Sequence, residues 1–328
     1  MRDEMDVASD IALSNSINNS IKKLISIIVP VYNEGENINH FFSTIIPILK
    51  STGNLFEIIC INDGSFDNTL DQLIQMKQQF TFLKIVDLSR NFGKEAALTA
   101  GLLLAKGDAV IPIDVDLQDP PEVILKLIEQ WNNGYEVVLA KRVDRTQDSF
   151  TKRFSSFLFY KLQSKLSSIP MVENVGDFRL LDRKVVAVIN QLPERQRYMK
   201  GLFSWAGFKK CIVPYARNYR YQGKSKFSYW KLWNFALDAI TSFSSLPIKI
   251  WTYIGVFVSG LAFLYAIIII IKTFIFGIDM PGYASIMVTL LFLSGLQFIS
   301  LGILGEYIGR IFIETKQRPI YIIRSFYE

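Results

Sequence analysis

The run Asp114-Val115-Asp116-Leu117-Gln118-Asp119-Pro120 sets two carboxylates two residues apart and follows them with a side-chain amide. These are hard oxygen donors of the kind that hold Mg2+ or Mn2+, ions usually bound by one or two carboxylates together with substrate phosphates. Taken alone, Asp-x-Asp is also the composition of a solvated turn. Its setting favours a site: an apolar run, 109–113, precedes it, and Pro120-Pro121 opens the helical pattern that follows. A second segment, Arg90-Asn91-Phe92-Gly93-Lys94-Glu95, is a glycine turn at a helix N-terminus beside Arg and Lys, which suits an anion. It lacks the Gly-Lys-Ser/Thr ending of a Walker A loop, and an ordinary capped turn with Lys94 in solvent is the alternative. In a third segment Arg217, Arg220, Lys224 and Lys226 surround Gly223. Such a loop folds over a diphosphate, Gly223 allowing close backbone approach, or binds anionic lipid headgroups, or both.

Elements that position these groups are legible between residues 25 and 140. Short apolar runs at 26–31, 56–61, 83–88, 109–113 and 136–140 alternate with helical patterns at 36–50, 68–80, 94–106 and 122–133. That alternation predicts right-handed crossovers and an α/β, mostly parallel sheet. Ligands of such sheets bind beyond the carboxyl ends of the strands. Tyr32-Asn33-Glu34, Asn62-Asp63-Gly64-Ser65 and Asp114-Val115-Asp116 all fall there.

The rest of the composition excludes several classes. With 328 residues, one His and two Cys, the chain has neither a disulfide framework nor a zinc site. A net charge of +6 is too small to argue for nucleic acid. Charges are missing altogether from 251–271 and 284–305, and each stretch is close to the roughly 20 apolar residues that cross a bilayer. Basic Arg310, Lys316, Arg318 and Arg324 follow the second stretch, while the loop at 272–283 carries one Lys and one Asp. By the positive-inside rule, both termini and the α/β domain are expected in the cytoplasm. The aromatic-rich 227–250 region, with Lys224, Lys226, Lys231 and Lys249 around it, suits a helix in the membrane interface, or else an ordinary surface helix. The expected division is a mobile polar leader at 1–24, a catalytic domain at 25–226, a juxtamembrane helix at 227–250, two transmembrane helices at 251–309 and a cytoplasmic basic tail at 310–328. Gly295, Ser300, Gly302, Gly305 and Gly309 permit close helix approach. They pack the two spans of one chain or join copies, and a homo-oligomer is the expectation.

Read in order, Pro30-Val31-Tyr32-Asn33-Glu34, Asn62-Asp63-Gly64-Ser65, Arg90-Asn91-Phe92-Gly93-Lys94, Asp114-x-Asp116-x-Gln118-Asp119-Pro120-Pro121-Glu122 and Gly223-Lys224-Ser225-Lys226 resemble a family 2 glycosyltransferase of the polyisoprenyl-phosphate branch. That branch includes dolichol-phosphate mannose synthases and bacterial bactoprenol glucosyltransferases of the GtrB type. The resemblance spans roughly residues 25–230, and the two apolar stretches fit its membrane-anchored bacterial members. It implies a GT-A, Rossmann-like fold, a divalent cation and a nucleotide-sugar donor. By the same resemblance Pro30, Tyr32, Glu34 and Asp63 hold the nucleoside, Asp114 lies by the ribose or the metal, and Asp116 and Gln118 ligate the metal. Arg220 and Lys226 grip the diphosphate, and Arg142 and Arg153 meet the lipid phosphate. Asp177, in Gly176-Asp177-Phe178-Arg179, matches an acidic position that acts as a base or positions the acceptor; holding Arg179 or a backbone turn is the other reading. His40 has no assigned role.

The implied reaction is an inverting, in-line displacement by a lipid phosphate oxygen at the sugar's anomeric carbon. A phosphate monoester has its second pKa near about 6, so the nucleophile is already mostly dianionic at neutral pH. Asp177 then positions or tunes polarity more plausibly than it abstracts a proton. UDP-glucose and undecaprenyl phosphate are the expected substrates; UDP-N-acetylhexosamine, a UDP-linked modified pentose and GDP-mannose are the other donors. A processive polysaccharide synthase needs a longer membrane bundle and usually Gln-x-x-Arg-Trp, from which Gln196-Arg197-Tyr198 departs. A membrane-tethered nucleotide-sugar sensor without turnover has no use for a metal-assisted leaving group. Two spans are too few to flip the product, which calls for a separate protein.

Overall fold

β1 (Leu24–Val31) and β2 (Leu55–Asn62) are near-continuous apolar runs, buried along almost their whole length. Strands read this way when a parallel sheet is covered on both faces, and these two pair in parallel from Leu24–Leu55 to Val31–Asn62. The structure, a computed structural model, describes residues 22–143, 172, 175–216, 246–277 and 282–328. β3 (Leu83–Leu88) extends the parallel set beyond β2, and β4 (Ala109–Pro112) joins β1 on its other side. Beyond β4 come β6 (Val175–Asp182), β5 (Val137–Arg142) and β7 (Lys210–Tyr215); β6 is antiparallel to both its neighbours. β8 (Ile323–Tyr327) closes the far edge against β3 in antiparallel pairing, giving the order β7-β5-β6-β4-β1-β2-β3-β8.

Four helices connect the parallel strands: α1 (Gly35–Ser51), α2 (Thr69–Gln79), α3 (Lys94–Leu104) and α4 (Val123–Asn132). α1 buries Ile38, Phe41, Phe42, Ile45, Ile46 and Leu49, the spacing of one helical face. α3 is buried from Ala96 to Leu102, and Gly101 lets it lie close on the sheet: a Cβ there would come within 2.4 Å of Ile28. α5 (Arg183–Gln191) and α6 (Met199–Trp205) follow β6. The five strands and four helices expected from the alternation are all present, with ends shifted by one or two residues.

β6, β7 and β8 were not signalled by local pattern. Residues 310–328, expected as a basic tail, instead continue the last helix to Lys316 and then return to the sheet as β8.

At the amino end of the sheet a partly buried polar network joins β1, β2 and β3. Ser26 Oγ donates to Glu57 Oε1 at 2.5 Å, and the Lys106 amide donates to the same oxygen at 2.7 Å. Lys84 Nζ lies 2.9 Å from Glu57 Oε2 and 3.3 Å from Glu328, which also meets Lys106. Gly107 fits because its amide donates to Ser26 Oγ and a Cβ would lie 2.6 Å from the Ser26 amide nitrogen. Burial pushes the Glu57 carboxyl up, but Ser26, Lys84 and the Lys106 amide outweigh it and hold it below its ordinary value.

A second unit contains two long helices, α7 (Leu246–Phe276) and α8 (Tyr283–Lys316). The charge-free stretches 251–271 and 284–305 lie within them. Among the described residues, Phe292–Lys316 is long and apolar enough to cross a membrane, and Tyr253–Tyr265 is a shorter apolar run. Tyr253, Phe257, Phe263, Phe274, Phe292 and Phe298 are all more than half exposed, an apolar surface of the kind that meets a partner or lipid. Residues 227–245 of the expected interfacial region lie outside the described residues.

Candidate active site

Three turns meet at the carboxyl end of the sheet. After β1, Asn33 takes a left-handed φ of 52°, a conformation its short polar side chain tolerates. Its amide donates to Ser65 Oγ at 2.9 Å, while the Phe66 amide donates to Asn33 Oδ1 at 3.0 Å. The turn after β1 is thus latched to the turn after β2. Asp63 binds the third: its carboxylate accepts from the amides of Phe92 at 2.7 Å and Gly93 at 2.9 Å. Burial nevertheless leaves the Asp63 carboxyl above its ordinary value. Gly64, at φ 64°, has no room for a side chain, because a Cβ would lie 2.4–2.8 Å from the backbone of Arg90 and Asn91. Asp63, expected at the nucleoside, therefore directs both oxygens at the neighbouring turn. Pro30, Tyr32 and Glu34 stand half-buried at the same edge. Glu34 Oε2 accepts from Asn37, and the Tyr32 ring meets Phe66, 83% exposed, edge to face at 6.0 Å.

Gly93 caps α3 at φ 98° and sends Lys94 across the strand ends. Lys94 Nζ lies 2.7 Å from Asp114 Oδ1, 3.0 Å from Asp114 Oδ2 and 2.8 Å from Asp177 Oδ2. The ammonium ties together residues from three elements while staying partly open to solvent, so it is more than the free lysine of a plain capped turn. Burial alone would depress Lys94, but Asp114 and Asp177 hold it well above its usual range. Burial would likewise raise Asp177, yet Lys94 and Lys200 keep it well below the ordinary carboxylate range.

Glu95, beside it, shows the opposite balance. Burial and then the Asp177 charge push it up to about 7, although its Oε2 accepts from the Met199 amide at 3.0 Å. Arg179, next but one to Asp177 on β6, stacks over Phe203 at 4.4 Å and donates to the Gly176 carbonyl. Burial lowers its guanidinium to about 10. Asp177 Oδ1 and Arg179 Nε are buried, and neither has a hydrogen-bond partner among the described residues. Buried polar atoms of native proteins are nearly always paired, so an acid and a base left open side by side mark a place prepared for something polar.

The Asp114–Pro120 segment folds back on itself. Leu117 adopts φ 51°, and the Gln118 amide donates to Asp116 Oδ1 at 3.3 Å. Asp119 pins the segment to the sheet: it accepts from Tyr215 Oη and from Arg142 NH2 at 3.3 Å, and Arg142 Nε donates to Tyr215 Oη at 3.0 Å. Arg142, expected at the lipid phosphate, is thus engaged by Asp119 and Tyr215. Burial would lower its guanidinium, but Asp119 and the Tyr215 hydroxyl hold it high, and burial with Asp119 pushes the Tyr215 phenol up.

The donor set of Asp114, Asp116 and Gln118 fits a hard divalent cation: two carboxylates and an amide oxygen, with Lys94 already drawn in as a stand-in positive charge. Among the described residues, no three His, Cys, Asp or Glu are grouped so as to hold a metal ion by themselves. Arg153, Arg220 and Lys226 lie outside the described residues.

Sequence reasoning missed Lys200 and Tyr215, and it named Arg179 only as a group that Asp177 could hold. Glu95 stood within a quoted motif, and only its neighbour was singled out.

The family model of glycosyl transferase family 2 matches residues 26–189, and that of the GtrB C-terminal hairpin matches residues 246–311. The chain is 51% identical to a bactoprenol glucosyl transferase of Shigella phage SfX, covering 92% of this chain and 99% of that one. It is 52% identical to a bactoprenol glucosyl transferase of Shigella phage SfV over 92% and 98% of the two chains. An uncharacterized glycosyltransferase of Synechocystis sp. is 52% identical over 92% and 95%. The chain belongs to glycosyl transferase family 2, in the group that carries the GtrB C-terminal hairpin. It is a glycosyltransferase.

Proposed function

We propose that this glycosyltransferase transfers glucose from UDP-glucose to undecaprenyl phosphate at the cytoplasmic face of the membrane, with inversion. The observation that carries the reading is the Lys94 ammonium held between Asp114 and Asp177. It brings the nucleotide end of the sheet and the acceptor-side carboxylate to one point. The identity to bactoprenol glucosyl transferases over almost the whole chain supports the choice of sugar and lipid.

Asp114, Asp116 and Gln118 would hold Mg2+ or Mn2+, which when bound neutralises charge on the departing diphosphate. The turns at 30–34 and 62–65 hold the nucleoside, with the exposed Phe66 edge beside Tyr32 as an apolar platform. Arg220 and Lys226 are assigned to the diphosphate and Arg153 to the lipid phosphate. Arg142 acts on that phosphate while bracing Asp119. Asp177 is a poor base, since Lys94 and Lys200 keep it ionised far below neutral pH. It orients Lys94 and the incoming phosphate. The attacking phosphate oxygen needs no proton removed at neutral pH. It forms the new bond to the anomeric carbon as the bond to the nucleoside diphosphate breaks.

The membrane reading is two spans, α7 and α8, with the α/β unit and both termini cytoplasmic. The chain leaves the α/β sheet after β7 and rejoins it as β8, which supports an even number of crossings between them. Assembly as a homo-oligomer and a separate flippase complete the proposal. Transfer of radiolabelled sugar into an organic-extractable lipid, run against a panel of nucleotide sugars, tests the function. Labelling from UDP-glucose supports it, and labelling from none of the panel overturns it.

A further inference from the structure

The last strand of the chain reaches the turns that the proposed function assigns to the donor, and the inference rests on that assignment. β8 lies antiparallel on β3, with Asp87 opposite Ser325 and a register shift before Leu88, which faces Ile323. Its far end is fixed by Glu328 between Lys84 and Lys106. At its near end, Arg324 NH1 lies 3.5 Å from Asp87 Oδ2, and Arg324 NH2 donates to the Ser89 carbonyl at 2.6 Å. The Ser89 amide donates to the Ile322 carbonyl at 2.9 Å.

Two paths lead inward from these contacts. Asp87, 2% exposed, accepts from Asn62 Nδ2 at 2.7 Å; Asn62 Oδ1 accepts from the Ser65 amide at 3.3 Å; Ser65 Oγ accepts from the Asn33 amide. Ser89 leads directly into residues 90–94, whose amides hold Asp63. A carboxylate as buried as Asp87 requires a cation or several donors. Among the described residues, its side-chain contacts are the Asn62 amide and the Arg324 guanidinium. Without Arg324, the Asp87 carboxylate loses the guanidinium that holds it in place and is free to turn, and Asn62 loses the partner that fixes its amide.

We infer that Arg324 is a positioning residue for donor binding, holding the 62–65 turn through Asp87 and Asn62 and the 90–94 turn through Ser89. It touches no substrate. Steady-state kinetics on the full-length enzyme in detergent, with donor and lipid phosphate varied separately, test this. R324A should raise KM for UDP-glucose about five- to tenfold and leave KM for undecaprenyl phosphate within twofold, both read at a temperature where the variant is fully folded. R324K should recover most of the loss. In a D87N background, R324A should add little, because the two residues act along one path. An unchanged donor KM, an equal rise in both KM values, or full additivity with D87N overturns the inference. Failure of the underlying assignment appears elsewhere, as a wild-type enzyme that binds no uridine diphosphate.

Discussion

The two ends of the sheet each hold a partly buried ionic cluster, and they are finished differently. At the amino end, Glu57 is met by Ser26, Lys84 and the Lys106 amide, each through a direct contact of 2.9 Å or less. Its charge is stabilised and its carboxyl lies below the ordinary value. At the carboxyl end, Lys94, Glu95, Asp114, Asp177 and Arg179 crowd together with Asp177 Oδ1 and Arg179 Nε left open. There one carboxyl is held low and its neighbour is driven to about 7. A satisfied cluster stabilises a fold, whereas a mismatched one is kept for the ligand that completes it. Perturbing the first should cost stability and perturbing the second activity.

The largest effect belongs to the carboxyl end. Asp116→Ala should lower transfer by at least about 10³-fold, and chelation of divalent ions should do the same to the wild type, with Mn2+ restoring it. Full transfer by Asp116→Ala in metal-depleted buffer would end the metal assignment. Lys94→Met comes next, at about 10²-fold in kcat/KM, because it leaves Asp114 and Asp177 facing each other without their shared cation. Asp177→Asn should retain a measurable remainder, of order a tenth of wild-type activity. Complete loss in that variant would restore Asp177 as an essential base.

Much of this end is legible in the sequence, for a physical reason. Asp114–Pro120 and Arg90–Glu95 are local turns between elements with strong periodicity, so residue type and position are read together. The contacts that make them a site are not local. Lys94 meets Asp177 only because β6 runs antiparallel beside β4, and Asp119 meets Tyr215 across 96 residues. No spacing rule encodes either pairing. β8 escaped for a different reason: its five residues, Ile323-Arg324-Ser325-Phe326-Tyr327, lack a strict polar–apolar alternation and follow the basic residues that read as a tail. The helices α7 and α8 are plain in the sequence because charge is absent from their central stretches.

Glu95 offers a smaller and sharper test through pH. Its carboxyl moves from an ordinary 4.5 to about 7 in the fold. Between those values the folded state binds more protons than the unfolded one, so stability falls as pH rises through this window. The groups facing it are Lys94 on its own helix, Asp177 and Arg179 on β6, and Lys200 on α6. Glu95→Gln keeps an acceptor for the Met199 amide and removes the titration. Its melting temperature should exceed wild type by a few degrees at pH 8 and match it near pH 4.5. A variant that tracks wild type at both pH values would show that Glu95 titrates normally.

The amino end gives the smallest effect on turnover. Glu57→Gln removes one charge from a nearly buried pair and leaves Lys84 with only the exposed Glu328. Breaking such a pair costs about 3 kcal/mol, read as a lower urea midpoint for the α/β unit. The sign with pH is opposite to that of Glu95. The Glu57 carboxyl is depressed in the fold, so its contribution is fully present above its unfolded pKa and is lost as pH falls through the folded one. The penalty for Glu57→Gln should therefore be largest at neutral pH and shrink towards acid. Transfer per folded molecule should stay within twofold of wild type, since none of the atoms around Glu57 belongs to the three turns at the other end. A large fall in kcat with unchanged stability would mean that the two clusters communicate along the strands, and the division between them would not hold.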